Sequence, residues 1–395
     1  MIMAKKTKNQ GAGDAKKSPV KDTRNIPPTT RLELVARAAG RCEFAGCNKF
    51  LFAHELTGEK GNFSEAAHIV AFSDDGPRGD DNRPATPHSI ANLMLLCAGC
   101  HKLIDDNVAE YPVKKLRGFK RDHEDRIRAV TEHGPELRTW VIQLRGLIGG
   151  QPVDIPAHDV RTAIAPRYAP DETGAVIDLA HLRPEDPGMT EAALQIIKRK
   201  LDTILSGGMD GAKARHYSVF ALTTIPVLMA FGRELGDKIA ADLHQRHRDQ
   251  SWAWRDKATP TDYAHKRIQD GTDPTCVALV LSLSGKVLPA ALPSAVDARF
   301  TVYEITLAGQ EPNREFLNLK DDLERFRRVY RKVLSEIHAR HAGPRELHVF
   351  PACPAPVAIR CGTDLFPKVD PELVLYDNIG GKFRYAITIN KRASE

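Results

Sequence analysis

The sequence has no apolar run approaching the ~20 residues that a membrane-spanning helix requires. Its first residues, rich in Lys, Gly and polar side chains through Pro28, also lack the apolar stretch of a secretory signal. These absences lead us to expect a cytoplasmic protein in a reducing compartment, with no membrane partner. Seven cysteines in that setting point away from disulfides and toward metal binding. Net charge is scarce everywhere but at one end. Residues 1–28 hold seven Lys/Arg against two Asp/Glu, so they account for five of the chain's six excess positive charges. Overall charge therefore gives no argument for a nucleic-acid partner. The tail is expected to be a disordered basic extension of the common solubilising kind; the other reading is that it adds sequence-independent attraction to phosphate.

What the chain does have is length for more than one core. Its 395 residues, at ~150 per domain, suggest two or three domains. With 42% hydrophobic and 27% charged residues it falls in the soluble globular class. We expect a disordered tail over 1–28, a first domain over 29–148, a junction over 149–188 studded with Pro, Gly, Asp and Ala, and a second domain over 189–395. In the first domain, Val113 to Val130 is dense in Lys and Arg and reads as a helix, one that either lies along a phosphate backbone or simply presents a solvated charged face.

In the second domain strands and helices alternate, an α/β pattern, and the pattern repeats. Val219-Phe220-Ala221-Leu222, Pro226 and Gly232-Arg233-Glu234-Leu235 recur as Val349-Phe350-Pro351-Ala352, Pro356 and Gly362-Thr363-Asp364-Leu365, at an offset of 130 residues. Two related units follow, each with a buried-type strand, a tight turn and a helix. Between them Leu323, Phe326, Tyr330, Val333 and Ile337 mark one face of a long amphipathic helix.

Cys42 and Cys47 are separated by four residues, and Cys97 and Cys100 by two. Turns of that length bring two thiolates to one cation, and four thiolates satisfy tetrahedral zinc with no position open for chemistry, so the zinc is expected to be structural. Between the pairs lie Ala66-Ala67-His68-Ile69-Val70 and the run Asn92-Leu93-Met94-Leu95-Leu96-Cys97-Ala98-Gly99-Cys100-His101. A neutral imidazole can take a proton from water near neutral pH, whereas Asn has hydrogen-bonding groups but no titratable proton.

This constellation resembles the HNH nucleases, whose ββα-metal motif has His on a strand, Asn after a loop and His on the next helix. The resemblance implies that His68 is the general base, that Asn92 orients the loop and that His101 binds a catalytic divalent cation, Mg²⁺ or else Mn²⁺ or Ni²⁺. Many HNH proteins carry Asp or His immediately before the base as a second ligand, where this chain has Ala67. Asp105, one helical turn after His101, is expected to serve instead, with Glu65 as the alternative. His54, His88 and His123 are read as ordinary polar residues.

The second half resembles the SAVED domain, the nucleotide-sensing module of CBASS anti-phage systems, built of two fused CARF-type Rossmann-like units. The resemblance rests on Val219 to Leu235, Leu347 to Leu365, Leu373 to Asp377 and Phe383 to Ile387. It implies a ligand at the strand C-terminal edges, where Thr223, Thr224, Cys353 and Pro354 lie. At least one of Trp252 and Trp254 is expected to stack on a base, the alternative being that both pack in the core, and Arg255, Lys257 and Lys382 are expected to contact phosphate or base edges. The implied whole is an α+β ββα-metal HNH nuclease domain with structural zinc followed by an α/β SAVED domain. Its expected activity is cleavage of double-stranded DNA as a CBASS effector. The expected activator is a cyclic dinucleotide of the cGAMP kind ahead of a cyclic trinucleotide, driving assembly of homodimers into tetramers. Two other readings are a restriction-type HNH nuclease whose C-terminal half recognises DNA sequence or modification, and a non-catalytic zinc-stabilised DNA-binding protein.

Overall fold

Apolar side chains gather into separate cores on either side of residue 133, so the chain folds as two units, residues 1–133 and 134–395. The computed structural model describes residues 25–79, 84–132, 134–183, 185–207, 214–237, 239–341 and 343–391. Most of the expected tail, residues 1–24, lies outside the described residues. Its last part is not an extension: Ile26 packs on the first core, and Pro28 opens the first helix.

The first unit comprises α1 (Pro28–Arg37), β1 (Ser64–His68), β2 (Leu93–Cys97), α2 (Ala98–Asp106) and α3 (Val113–Thr131). β1 and β2 pair antiparallel, with Ser64 opposite Cys97 and His68 opposite Leu93. β2 is apolar throughout because it is buried on both faces, between α1 and the rest of a core that includes Leu34, Ile104 and Leu116. α3 turns Leu116 inward and keeps Lys114, Arg117, Arg121 and Arg128 exposed, but Lys120 is buried and paired with Glu124 at 2.6 Å. That lysine is not available to a phosphate.

The second unit opens with β3 (Trp140–Arg145), the hairpin β4 (Leu147–Ile148) and β5 (Gln151–Pro152), α4 (Ala157–Ile164), β6 (Ala175–Asp178), α5 (Met189–Gly207), β7 (Tyr217–Leu222), α6 (Ile225–Leu235) and β8 (Ala241–His244). It continues with β9 (Tyr263–Gln269), β10 (Val277–Ser282), β11 (Thr301–Leu307), α7 (Lys320–Arg340), β12 (Glu346–Ala352), α8 (Ala355–Thr363), β13 (Glu372–Ile379) and β14 (Lys382–Ile389). One sheet has the order β6-β3-β7-β8, all parallel; the other has β14-β13-β12-β10-β11-β9. At the centre of the second, β11-β10-β12-β13 reproduces the order of the first, with antiparallel β9 and β14 added at the edges. The repeat read in the sequence is thus one half of a larger one. The second half runs strand, strand, helix, strand, helix, strand, and the first does the same with the β4–β5 hairpin and α4 inserted between its first two sheet strands.

The structure moves the expected boundary. Residues 134–148, expected in the first domain, and 149–188, expected as a junction, belong to the second unit: β3 sits inside the first parallel sheet, and α4 covers one face of that sheet through Val160, Ala163 and Ile164. The elements here are short, and β3 is buried along nearly its whole length, so neither shows a periodic apolar pattern.

The two halves meet where α6 crosses α8. A Cβ placed on Gly232 would lie 2.1 Å from the Ile359 carbonyl oxygen, and one on Gly362 would lie 2.0 Å from that of Met229. Both glycines occupy the same place in the repeat, so bare backbone faces bare backbone at the crossing. Gly232→Ala or Gly362→Ala must push the helices apart. We expect a loss of about 2 kcal/mol or more, measured as a lowered urea midpoint of the second unit; an unchanged midpoint would show that the crossing yields freely.

His244, on β8, lies face to face with Phe220 at a ring separation of 4.4 Å, and burial pushes its imidazole down to about 4. Between an unfolded value of ~6.5 and about 4, the unfolded chain takes up a proton that the folded chain refuses. Stability therefore falls as pH falls through that window, by roughly 3 kcal/mol in all. Denaturation curves of wild type and His244→Leu should diverge in their pH dependence between those limits, with the variant flatter; parallel curves would contradict this.

Candidate functional site

Four thiols define the base of the site. Cys42 and Cys47 flank a tight turn in which the Cys42 N–H donates to Lys49 O and the Cys47 N–H to Phe44 O. Cys97 ends β2 and caps α2, where its Sγ accepts from the Cys100 N–H, and the Cys97 N–H donates to Cys42 Sγ at 3.4 Å. All four Sγ atoms lie within 4.8 Å of one another, with Cys47 and Cys97 4.0 Å apart. Ligands on a tetrahedral zinc with ~2.3 Å bonds are about 3.8 Å apart, so the residues fit the ion. Burial pushes the Cys42 thiol up to about 12; a divalent cation among the sulfurs reverses that preference by stabilising thiolates. Among the described residues this is the one set of three or more His, Cys, Asp and Glu side chains whose ligand atoms all converge.

The residue after Cys100 is His101, so the cysteine cluster fixes where the histidine's helix begins. His68, at the end of β1, faces the same cleft as His101 and Asp105, a space of about 210 Å³ also lined by Ala66, Phe72 and Ser73. His101 Nδ1 is hydrogen-bonded to Glu65 Oε2, and its Nε2 is 3.3 Å from Asp105 Oδ2. The Asp105 carboxylate, and that of Glu65 with it, holds the His101 imidazole above its ordinary range against partial burial. Burial pushes Asp105 upward, but hydrogen bonds from His101 and Arg78 leave it below the usual carboxylate range. Neighbouring ligands of an octahedral cation with ~2.1 Å bonds are about 3 Å apart, so Nε2 and Oδ2 suit one hard cation. Glu65, on the opposite ring nitrogen, is placed to fix the tautomer that leaves Nε2 as the ligand atom.

Asn92 is buried and acts as a clasp. Its Oδ1 accepts from the Val70 N–H, and its Nδ2 donates to both Val70 O and Pro87 O, each at 3.0 Å. The amide thus ties the chain leaving β1 to the chain entering β2. Ala67, where related motifs carry a ligand, is part of the hydrophobic core; the acids near His101 come from Glu65 and Asp105.

Two functional neighbours were missed by the sequence reading. His88, taken as an ordinary polar residue, lies with Nδ1 3.1 Å from His68 Nε2 and its ring stacked on Phe72. Buried Arg78 donates to Ile69 O, Ile104 O and Asp105 Oδ1, joining the loop after β1 to α2. The Gly76-Pro77-Arg78 turn between two motif residues was the available signal for Arg78; for His88 nothing local marks it.

The residues expected to bind a ligand are only partly assembled. Thr224 and Pro354 stand at the N-termini of α6 and α8, preceded by buried Thr223 and Cys353. Trp252, expected to stack on a base, is 1% exposed and packs edge-on against Phe220 in the core, so it offers no free face. Trp254 lines a cavity of about 570 Å³ with Arg167, Asp242, His244 and Lys320. Arg255 is paired with Asp249 at 2.6 Å, Lys257 is exposed, and exposed Lys382 begins β14 beyond the Gly380-Gly381 turn.

The site and the fold define a nuclease-type metal domain joined to a doubly wound α/β domain of two related halves. Residues 42–108 match the family described as HNH endonuclease, and residues 197–389 match SAVED, the SMODS-associated and fused to various effectors sensor domain. The chain therefore carries an HNH endonuclease domain followed by a SAVED sensor domain. Among solved structures it is similar to the Acinetobacter baumannii Cap4 SAVED/CARF-domain containing receptor with the cyclic trinucleotide 2′3′3′-cAAA, at 11% identity over 74% of this chain and 60% of that one, TM-score 0.45. The same receptor with 3′3′3′-cAAA gives 11%, 74%, 62% and 0.46, and the Moraxella osloensis Cap4 receptor gives 11%, 73%, 60% and 0.40. The chain spans about 60% of the length of the first of these receptors. No curated protein sequence matches it. Among the described residues, no helix is long and apolar enough to cross a membrane.

The thiol cluster gives a direct test. Purified protein should contain about one zinc per chain, and Cys47→Ser or Cys97→Ser should lose it and lower the melting temperature of the first unit. Metal-free protein of unchanged stability would contradict the assignment.

Proposed function

We propose that the chain is a cyclic-oligonucleotide-activated, metal-dependent endonuclease of double-stranded DNA, acting as a CBASS effector. The observation that supports it most is the meeting of His68, His101 and Asp105 in one cleft, with the Asn92 clasp behind them. His101 Nε2 and Asp105 would hold the divalent cation; Mg²⁺ suits a site with few protein donors and a phosphate substrate, and Mn²⁺ or Ni²⁺ suits the imidazole. When bound, such a cation supplies stabilisation of the charge that builds on phosphoryl and leaving oxygens.

The remaining chemistry belongs to the protein. His68 takes the proton of the attacking water. Asn92 keeps the loop in register so that the imidazole does not swing away, and Arg78 and Glu65 hold Asp105 and His101 in orientation. The exposed cations of α3 offer sequence-independent contacts to the phosphate backbone.

In the sensor domain, the paired starts of α6 and α8 offer N–H groups to phosphate. The twofold character of the repeat suits a ligand with two equivalent phosphates, a cyclic dinucleotide. Trp254, in the 570 Å³ cavity, replaces Trp252 as the candidate base platform. Ligand binding would drive dimers toward tetramers and bring nuclease domains together on DNA.

Supercoiled plasmid incubated with Mg²⁺ and a panel of cyclic di- and trinucleotides tests this reading. At least one compound should switch cutting on from near zero, and His68→Ala should lower the activated rate about 100-fold or more. Cutting without any nucleotide, or by His68→Ala at the wild-type rate, would overturn it.

A further inference from the structure

The loop between β1 and β2 delivers a second imidazole to the first. His88 Nδ1 is 3.1 Å from His68 Nε2, and the two ring centroids are 5.2 Å apart. Two restraints hold His88 there. Phe72 stacks on its ring at 5.2 Å and 18°, and Asn92 Nδ2 donates to the carbonyl of Pro87, the residue before it. The clasp that fixes the chain just after His68 therefore also fixes the chain just before His88.

We propose that His88 is a positioning residue that sets the tautomer of His68, an inference that rests on His68 being the base. A neutral imidazole has one protonated nitrogen and one lone pair. If Nε2 accepted a hydrogen bond from His88, the proton of His68 would sit on Nδ1, and the ring would have no lone pair left for water. The base role requires the opposite arrangement: His68 Nε2–H donates to His88 Nδ1, and the lone pair lies on His68 Nδ1. As the O–H bond of water breaks, its proton moves to that Nδ1, the O–H electron pair stays on the nucleophilic oxygen, and His68 becomes an imidazolium. Its Nε2–H bond to His88 is then charge-assisted and stronger than before. His88 thus favours the protonated product of the transfer over the neutral starting ring.

Three variants of the full chain separate hydrogen bonding from packing. His88→Phe keeps an aromatic ring against Phe72 and removes the acceptor. His88→Asn removes the ring but places an amide oxygen where Nδ1 stands, while His88→Gln carries its amide one bond too far. With plasmid, Mg²⁺ and a mixture of 3′3′-cyclic GMP–AMP and 3′3′3′-cyclic triadenylate, His88→Phe and His88→Gln should lose about 10- to 100-fold in kcat at unchanged KM. His88→Asn should recover most of it. A purely structural role gives the reverse order, with Phe active and Asn not, and would overturn the proposal.

The ¹⁵N shifts of the His68 ring supply a readout that does not depend on cutting. Wild type and His88→Asn should show the proton on Nε2, and His88→Phe a mixture of tautomers. Identical His68 tautomers in wild type and His88→Phe would also overturn it. If wild type and His68→Ala cut alike while the tautomer still follows His88, the assignment of the base has failed and the hydrogen bond has not.

Discussion

The strand-to-helix corner at Cys97 is the constraint on which the nuclease unit depends. One short run supplies two of the four thiols, caps α2 with a sulfur and places His101 in the next position. The first unit is small, and its core is little more than β1, β2 and the faces of three helices. Four thiolates on one ion would add the rigidity that so small a core lacks. A rigid corner matters because the donors of a cation must hold their spacing to a few tenths of an ångström, and His101 and Asp105 lie within the first two turns after it.

The opposite wall of the cleft is held differently. His68 ends a strand and is followed by a long loop, an arrangement that by itself leaves an imidazole loosely aimed. Asn92 answers this from the far end of the loop with three buried hydrogen bonds, and Arg78, within the loop, adds one to the chain just after β1 and two to α2. The acid and imidazole groups proposed for catalysis are thus supported by Asn92, Arg78 and Glu65, side chains given no reacting role. In the second unit the corresponding rigidity comes from symmetry. Two halves with the same strand order meet through helices that approach backbone to backbone at Gly232 and Gly362.

Much of this was legible in the sequence for physical reasons. Metal-binding thiols must sit at turn-length spacings, so the Cys42 to Cys100 set was visible, and Asn92 and His101 were tied to it by short fixed intervals. The 130-residue repeat showed because the Gly at each helix crossing admits no side chain. The start of the second unit did not show, since β3 is buried on both faces and β6 has only four residues, leaving no alternation to read. Trp252 was misjudged because an indole suits a core and a stacking platform equally well, and only the packing against Phe220 decides between them. His88 carries no local signal because its contact is with a residue twenty positions away, and no local spacing encodes such a contact.

The central claim is that DNA scission runs through one imidazole and a hard divalent cation held opposite it. The most direct measurement is the initial rate of plasmid cleavage by zinc-replete protein as free Mg²⁺ is withdrawn with a chelator too weak to strip the thiolate site, then restored. The account requires the rate to fall to background and return in full. Cleavage that persists without free divalent ions would contradict it.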